Sequence, residues 1–327
     1  MTTATLDNPA DHKALTRLNL IWVLIAWALF PILATHGSIL RTSQGELIPK
    51  VPAGWFYAMM TLHGLGMVGL WFVAGMAGVG LLLAKYVRVG LWASRFAMGA
   101  TVIGVGLLVV ATLVGKLAVG WYFLYPLPFH AQTAWPDWAT AALFVALGVM
   151  GVGWVVWAGD MLYAIARRYS LSSALGWPYL RGEDLGVPPI IVISTVAFIS
   201  VLGALAAAVV MLVLIAVEYL ATGVPNDALL MKNLTFYFGH VLVNITMYLG
   251  VAMVYELLPT YGERPWRTNR LVAIAWNAAL LLVAVAYLHH LYMDFAQPRW
   301  LQYVGQSSSY VISIPAAVVT IFSTLVL

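Results

Sequence analysis

The 327-residue sequence contains no cysteine, so this polypeptide carries no disulfide, thiolate metal site, iron–sulfur cluster or cysteine-ligated dicopper centre. Charge is almost as scarce: Asp, Glu, Lys and Arg make up 9% of the residues, against 63% hydrophobic. Soluble domains hold about 25% charged residues, so a water-surrounded fold is excluded and a polytopic membrane protein is implied. The net charge of +4 is spread over short loops, which speaks to membrane orientation and against a nucleic-acid partner. The amino terminus, "MTTATLDNPADHKALTR", is polar and mixed in charge. It lacks the layout of a cleaved signal peptide, so the first apolar segment is expected to stay as an anchor in the lipid bilayer.

What the sequence has is apolar length. A bilayer span takes roughly 20 apolar residues at ~1.5 Å rise each. Eight stretches qualify, at about 18–38, 54–84, 94–122, 138–166, 188–221, 231–259, 271–296 and 303–327. The expected fold class is therefore all-α, a polytopic transmembrane helical bundle, with residues 1–327 forming one domain. Eleven Lys and Arg residues fall in the N-terminal segment and the even loops: Lys13, Arg17, Lys85, Arg88, Arg95, Arg167, Arg168, Arg181, Arg264, Arg267 and Arg270. The alternate loops hold four, Arg41, Lys50, Lys232 and Arg299. This bias puts the N-terminus on the cytoplasmic side. Trp55, Tyr57, Trp121, Tyr122, Tyr125, Trp135, Trp138 and Trp300 cluster at the expected outer ends, as an interfacial aromatic belt does. The last segment stops at "TIFSTLVL" without a polar cap, which implies an amino-terminal portion of a longer chain.

Histidine depth carries the functional argument. His12, His36 and His130 lie outside the spans or at their edges and read as solvated or interfacial. His63 lies about nine residues, ~14 Å, below the outer end of the second span, and His240 lies at nearly the same level in the sixth. His289 and His290, near the top of the seventh, fall ~10 Å below the outer surface. Polar groups in hydrocarbon are costly, so an intramembrane histidine is a functional candidate, although a single one serves equally well as an interhelical hydrogen bond. Four in one layer favour a site. Three neutral imidazoles, His240, His289 and His290, make a nitrogen donor set that suits copper. His63, on another helix, would serve a separate centre, with haem ligation its natural role.

These residues resemble the catalytic subunit of the haem–copper oxygen and nitric oxide reductases. "TLHGLGM" at 61–67 is similar to the second-helix motif whose histidine is an axial ligand of the low-spin haem. "FGHVLVNITMYLGVAMVYELLP" at 238–259 resembles the sixth helix with its copper-binding histidine. "YLHHLYMDF" at 287–295 resembles the seventh-helix His-His pair, and "GWYFLYPLPF" at 120–129 resembles the segment after the third helix. The resemblance covers essentially the whole chain, with Tyr255 and Pro259 pointing to the B-type branch. It implies a low-spin haem on His63 and a copper (or iron) ion on His240, His289 and His290 facing a high-spin haem. It also implies a second redox subunit carrying the electron entry site, cytochrome c or another small donor, and a bacterial or archaeal cytoplasmic membrane. The family has about twelve helices, the tenth carrying a His-x-His pair that these 327 residues do not contain.

One departure bears on the reaction. Oxygen reductases of this branch carry a redox-active tyrosine four residues after the sixth-helix histidine, where this sequence has Asn244. Asn244 lies one turn from His240 on the same face and cannot form a radical. Joining two NO molecules takes only two electrons and can dispense with that tyrosine, so the resemblance implies reduction of NO to N2O, with Asn244 beside the catalytic metal. A B-type cytochrome c oxidase reducing O2, with proton pumping, is the alternative, and Tyr248 could then substitute for the missing phenol. Outside the class, a transporter binding substrate through intramembrane His and Lys116 also fits. Tyr248, Tyr255 and Ser309 are candidate proton-path hydroxyls, with Thr246, Ser307, Ser308 and Ser313 alongside, although hydroxyls at helix contacts also serve packing. Glu218 and Glu256 fall near span ends and read as interfacial. The glycines of "GLGMVGLWFVAGMAGVG" and "GVMGVGWVVWAG" read as close helix contacts rather than phosphate loops.

Overall fold

The computed structural model describes residues 9–121, 123–129 and 134–326; Tyr122 and His130 lie outside the described residues. Among these, no strand forms and eight helices are long and apolar enough to cross a membrane. They are α1 (Pro9–Gln44), α2 (Ala53–Leu83), α3 (Leu91–Leu113), α4 (Asp137–Tyr169), α7 (Pro189–Val217), α8 (Ala228–Tyr261), α9 (Arg270–Ala286) and α10 (Arg299–Val326). Two one-turn helices, α5 (Leu171–Ala174) and α6 (Trp177–Leu180), join α4 to α7. Helix α7 continues into a π-helical turn, Glu218–Thr222, and α9 into a 3-10 turn, Tyr287–Leu291.

Helix starts follow local chemistry. Pro52, Pro136 and Pro188 occupy the N-cap positions of α2, α4 and α7, where a residue without an N–H leaves no orphan donor. Asp227 and Asn269 cap α8 and α9 by accepting from Leu230 N at 2.6 Å and Val272 N at 3.0 Å, the ordinary task of short polar side chains there.

Glycine sets how closely the helices approach. On α2, Gly66 faces Leu33 of α1, while Gly75 and Gly78 face Leu249 and Met253 of α8. A Cβ at Gly75 or Gly78 would lie 3.0 and 2.3 Å from those side chains, so the glycine-rich stretch is a packing surface. Phe72 of α2 and Trp154 of α4 meet with ring centroids 4.6 Å apart, and Trp154 Nε1 donates to Thr101 Oγ1 of α3 at 3.0 Å. The order of neighbours runs α1–α2–α8–α7–α4–α3, with α9 against α7 and α10 against α9. Outward faces carry exposed Leu24, Trp27, Val102, Ile103 and Leu281, which in water would be a liability and in a bilayer is the required surface.

Three expectations are corrected. The third span ends at Leu113, not near 122. Lys116 therefore sits outside the helix, at φ 52°, with its ammonium 5.2 Å from the Trp55 ring. Hydropathy misplaced that end because Leu117 and Val119 are buried in loop conformation, and a buried loop is as apolar as a span. Second, Trp135 is buried and donates to Thr140 Oγ1 at 2.9 Å, so it does not belong to the belt. Third, Glu218 is buried at its span end, accepting from Tyr125 Oη at 3.0 Å and Asn226 N at 3.1 Å. Glu256 ties the ends of two helices together, accepting from Tyr86 Oη at 2.9 and 3.0 Å and Lys85 Nζ at 3.2 Å. Burial, reinforced by the Glu256 charge, pushes the Tyr86 phenol well above its ordinary pKa, so it stays protonated and donates.

Candidate metal centre

Helical spacing on α8 brings Asn233, Phe236, Tyr237, His240 and Asn244 to one side, at steps of three and four residues. That side meets the 3-10 turn after α9. Tyr287 Oη donates to Asn233 Oδ1 at 3.2 Å, Tyr287 and Tyr237 meet edge to face at 5.4 Å, and Phe236 stacks on His290 at 5.4 Å. The tightened turn matters because His289 and His290 are adjacent in sequence. On its own the 3-10 geometry spreads successive side chains by roughly 120°, and the two rings converge only by bending back toward α8, with centroids 4.2 Å apart.

The result is a cluster of three imidazoles whose facing nitrogens all lie within 4.8 Å of one another. His240 Nδ1 is 3.3 Å from His290 Nε2, and His289 Nε2 is 3.1 Å from the same atom. His240 is buried, His289 half-buried and His290 exposed, so the cluster is closed on the α8 side and open at His290. As hydrogen-bonding groups the three are poorly matched: His290 Nε2 offers one lone pair or one proton to two neighbours, and His289 Nδ1 is buried without a partner. As a donor set they fit, since two nitrogens bound at about 2.0–2.1 Å to a tetrahedral ion lie about 3.3 Å apart. Asn244 Nδ2 lies 3.1 Å from His240 Nε2 and 3.4 Å from Nδ1, and donates to the His240 carbonyl at 2.9 Å.

His63 stands apart on α2. Its Nδ1 is 2.8 Å from the Leu33 carbonyl of α1. A carbonyl only accepts, so Nδ1 carries the proton and Nε2 keeps its lone pair, the tautomer a metal-binding imidazole needs. Gly37 makes room for the ring, since a Cβ there would lie 2.7 Å from His63 Cε1. The two histidine sites share one neighbour: Gly64, next to His63, and Gly239, next to His240, both face Trp121, with 2.6 Å to its Cβ and 3.6 Å to its ring from their would-be Cβ atoms. Gly120 N, donating to Thr61 Oγ1 at 2.9 Å, fixes that loop on α2.

Of the other expected residues, Tyr248 and Tyr255 are buried against the same Trp276, with ring centroids 5.3 and 6.2 Å away. Thr246 donates to Val243 O at 2.6 Å and Ser308 to Gly305 O at 2.9 Å, while Ser313 donates to the Ser309 carbonyl at 2.9 Å. These hydroxyls are spent on their own helices.

Three further residues escaped the sequence reading: Gly305, Lys232 and Asp294. Gly305 of α10 backs the turn that bears the histidine pair. Lys232 Nζ, two turns above His240, bonds Asp294 Oδ2 at 2.6 Å, just past the pair, while Gln302 Nε2 holds the Asp294 carbonyl at 3.0 Å. The hydrogen bond from Lys232 holds the Asp294 carboxyl below the usual carboxylate range. A depressed pKa stabilises above the unfolded value and is lost only as pH falls through the folded one, so this clasp persists above about pH 4. Asp294→Asn is expected to weaken metal binding about fivefold, the worth of a partly exposed pair. Elemental analysis across a double-mutant cycle with Lys232→Met checks it; additive losses would show that the pair does not hold the site.

Three imidazoles from two adjacent spans form a group that could hold a metal ion within a membrane-spanning bundle. The family described as Cytochrome C and Quinol oxidase polypeptide I matches residues 17–327, and the chain belongs to it. Membership makes this an integral membrane haem–copper oxidoreductase of the catalytic-subunit type, associated with haem and a copper or iron centre, and favours that class over a transporter. No curated protein matches the chain.

Proposed function

We propose that the protein reduces NO to N2O, and Asn244 is the observation that carries this reading. An N–N bond forms, one N–O bond breaks, and two electrons and two protons yield N2O and water. The position one turn after His240 on α8 holds no phenol but the amide of Asn244, at 3.1 Å from the imidazole. Tyr248 lies two turns along α8, ~12 Å in rise, and packs on Trp276, a poor position for a substitute radical. The alternative, reduction of O2 to water, needs that phenol more.

In this reading His240 through Nδ1 and His289 and His290 through Nε2 would hold copper or iron, and His63 through Nε2 would hold the low-spin haem. Bound there, the metal supplies a Lewis-acidic, redox-active partner to the high-spin haem. Asn244, whose Nδ2 donates to the His240 carbonyl at 2.9 Å and lies 3.1 Å from Nε2 of the same ring, orients the His240 imidazole toward the pair. The open side at His290 admits a small substrate. Tyr255, Tyr248 and Ser309 remain candidate proton carriers; the two tyrosines are ~10 Å apart along α8, so transfer between them requires an intermediary. Electrons would enter from a second redox subunit or a cytochrome c-type donor.

Turnover of the purified enzyme decides the substrate: NO consumption at least tenfold faster than O2 consumption supports the proposal, and equal or faster O2 consumption overturns it. Asn244→Leu is expected to lower metal affinity about 10–100-fold, as loss of a ligand's orienting partner does. Asn244→Tyr should shift the O2-to-NO rate ratio upward; an unchanged ratio would leave Asn244 without this role.

A further inference from the structure

Away from the histidines, a groove of about 410 Å³ lies between the start of α1 and the first turn of α3. It is lined by the cations Lys13, Arg17 and Arg95 and by the apolar Ala14, Leu18 and Ile21. On α1 these positions form one stripe at helical spacing, from Lys13 down to Ile21, ~12 Å in rise. None of the three cations takes part in an ion pair among the described residues, and no acidic side chain lines the groove. Below it, the outer face of α1 continues as exposed Leu20, Leu24 and Trp27.

We propose that this groove binds the headgroup of an anionic glycerophospholipid, its phosphate held by Lys13, Arg17 and Arg95 and its acyl chains running down α1. The gradient identifies the ligand. A free phosphate would use the three cations and leave Leu18 and Ile21 idle, whereas a lipid uses both, and basic pockets between spans at the cytoplasmic side suit such headgroups. The groove also lies at the end of the bundle that carries most of the Lys and Arg, where anionic lipid is met.

The test uses the purified holoenzyme in neutral detergent, with native mass spectrometry of bound lipid. Phosphatidylglycerol is expected to bind at least tenfold more tightly than phosphatidylcholine. Each basic side chain near an anionic surface is worth roughly fivefold, so the triple variant Lys13→Gln, Arg17→Gln, Arg95→Gln should weaken phosphatidylglycerol on the order of a hundredfold. Arg95→Gln alone should weaken it severalfold, and unchanged haem bands in both variants would show that the fold is kept. Equal binding of the two lipids, an undiminished preference in the triple variant, or displacement of phosphatidylglycerol by millimolar inorganic phosphate would overturn the assignment. Recovery of a polypeptide that the triple variant no longer retains would also overturn it, in favour of a protein partner.

Discussion

His289→Ala is expected to empty the three-imidazole centre, lowering metal affinity by more than a hundredfold while leaving the chain folded. Changes one shell further out typically cost 10–100-fold, and this change removes a donor outright. The two nitrogens left, His240 Nδ1 and His290 Nε2, sit 3.3 Å apart on different elements, and two imidazoles alone hold copper far more weakly than three. The ring removed is half-buried and its Nδ1 has no partner, so little stability goes with it. Elemental analysis of purified protein reads the loss, with His36→Ala as the control, since that ring bonds only the Ile32 carbonyl of its own helix at 2.9 Å. Copper or iron content within twofold of wild type in His289→Ala would show that the metal sits elsewhere. The low-spin haem band, if it depends on His63, should survive, so the two centres are read independently.

How much of this was legible in the sequence depends on which physical signal was being read. Span number followed from apolar length alone, because hydrocarbon thickness fixes how many residues a helix needs. The grouping of three imidazoles followed from depth, since topology and a fixed rise place His240 and His289–His290 at one level before any coordinates exist. Hydropathy failed where burial and helicity part company: Leu117 and Val119 are apolar because the loop is buried, and Lys116 was carried into a span it does not occupy. The parts that aim the ligands were invisible for a different reason. Gly37, Gly64, Gly239 and Gly305 matter by what they lack, and a missing Cβ has meaning only once the partner across the gap is known. The adjacency of Gly64 to His63 and of Gly239 to His240 was the one available hint. Lys232 and Asp294 are 62 residues apart, so their pairing depends on the turn after α9 folding back over α8, which no local pattern announces.

Gly305→Ala should weaken the metal centre, although Gly305 carries no donor. A Cβ at this position would lie 2.4 Å from the Leu288 carbonyl oxygen, 2.7 Å from its carbon and 3.2 Å from His289 N. All three are backbone atoms of the 3-10 turn, so no side chain can rotate away and either α10 or the turn must move. Overpacking of this kind costs roughly 1–3 kcal/mol where side chains absorb it, and more where they cannot. Moving the turn carries His289 and His290 together off His240, which stays anchored in the middle of α8. Metal affinity is therefore expected to fall at least tenfold, with a lowered unfolding temperature. Gly250→Ala on α8 is the matched control, because nothing lies within 4 Å of its would-be Cβ. An alanine in an open helical position adds about 0.5–1 kcal/mol of stability, so that variant should keep its metal and unfold at the same temperature or higher. If Gly305→Ala keeps full metal content and unfolds with the wild type, α10 does not brace the histidine turn, and the ligand geometry must be held by α8 alone.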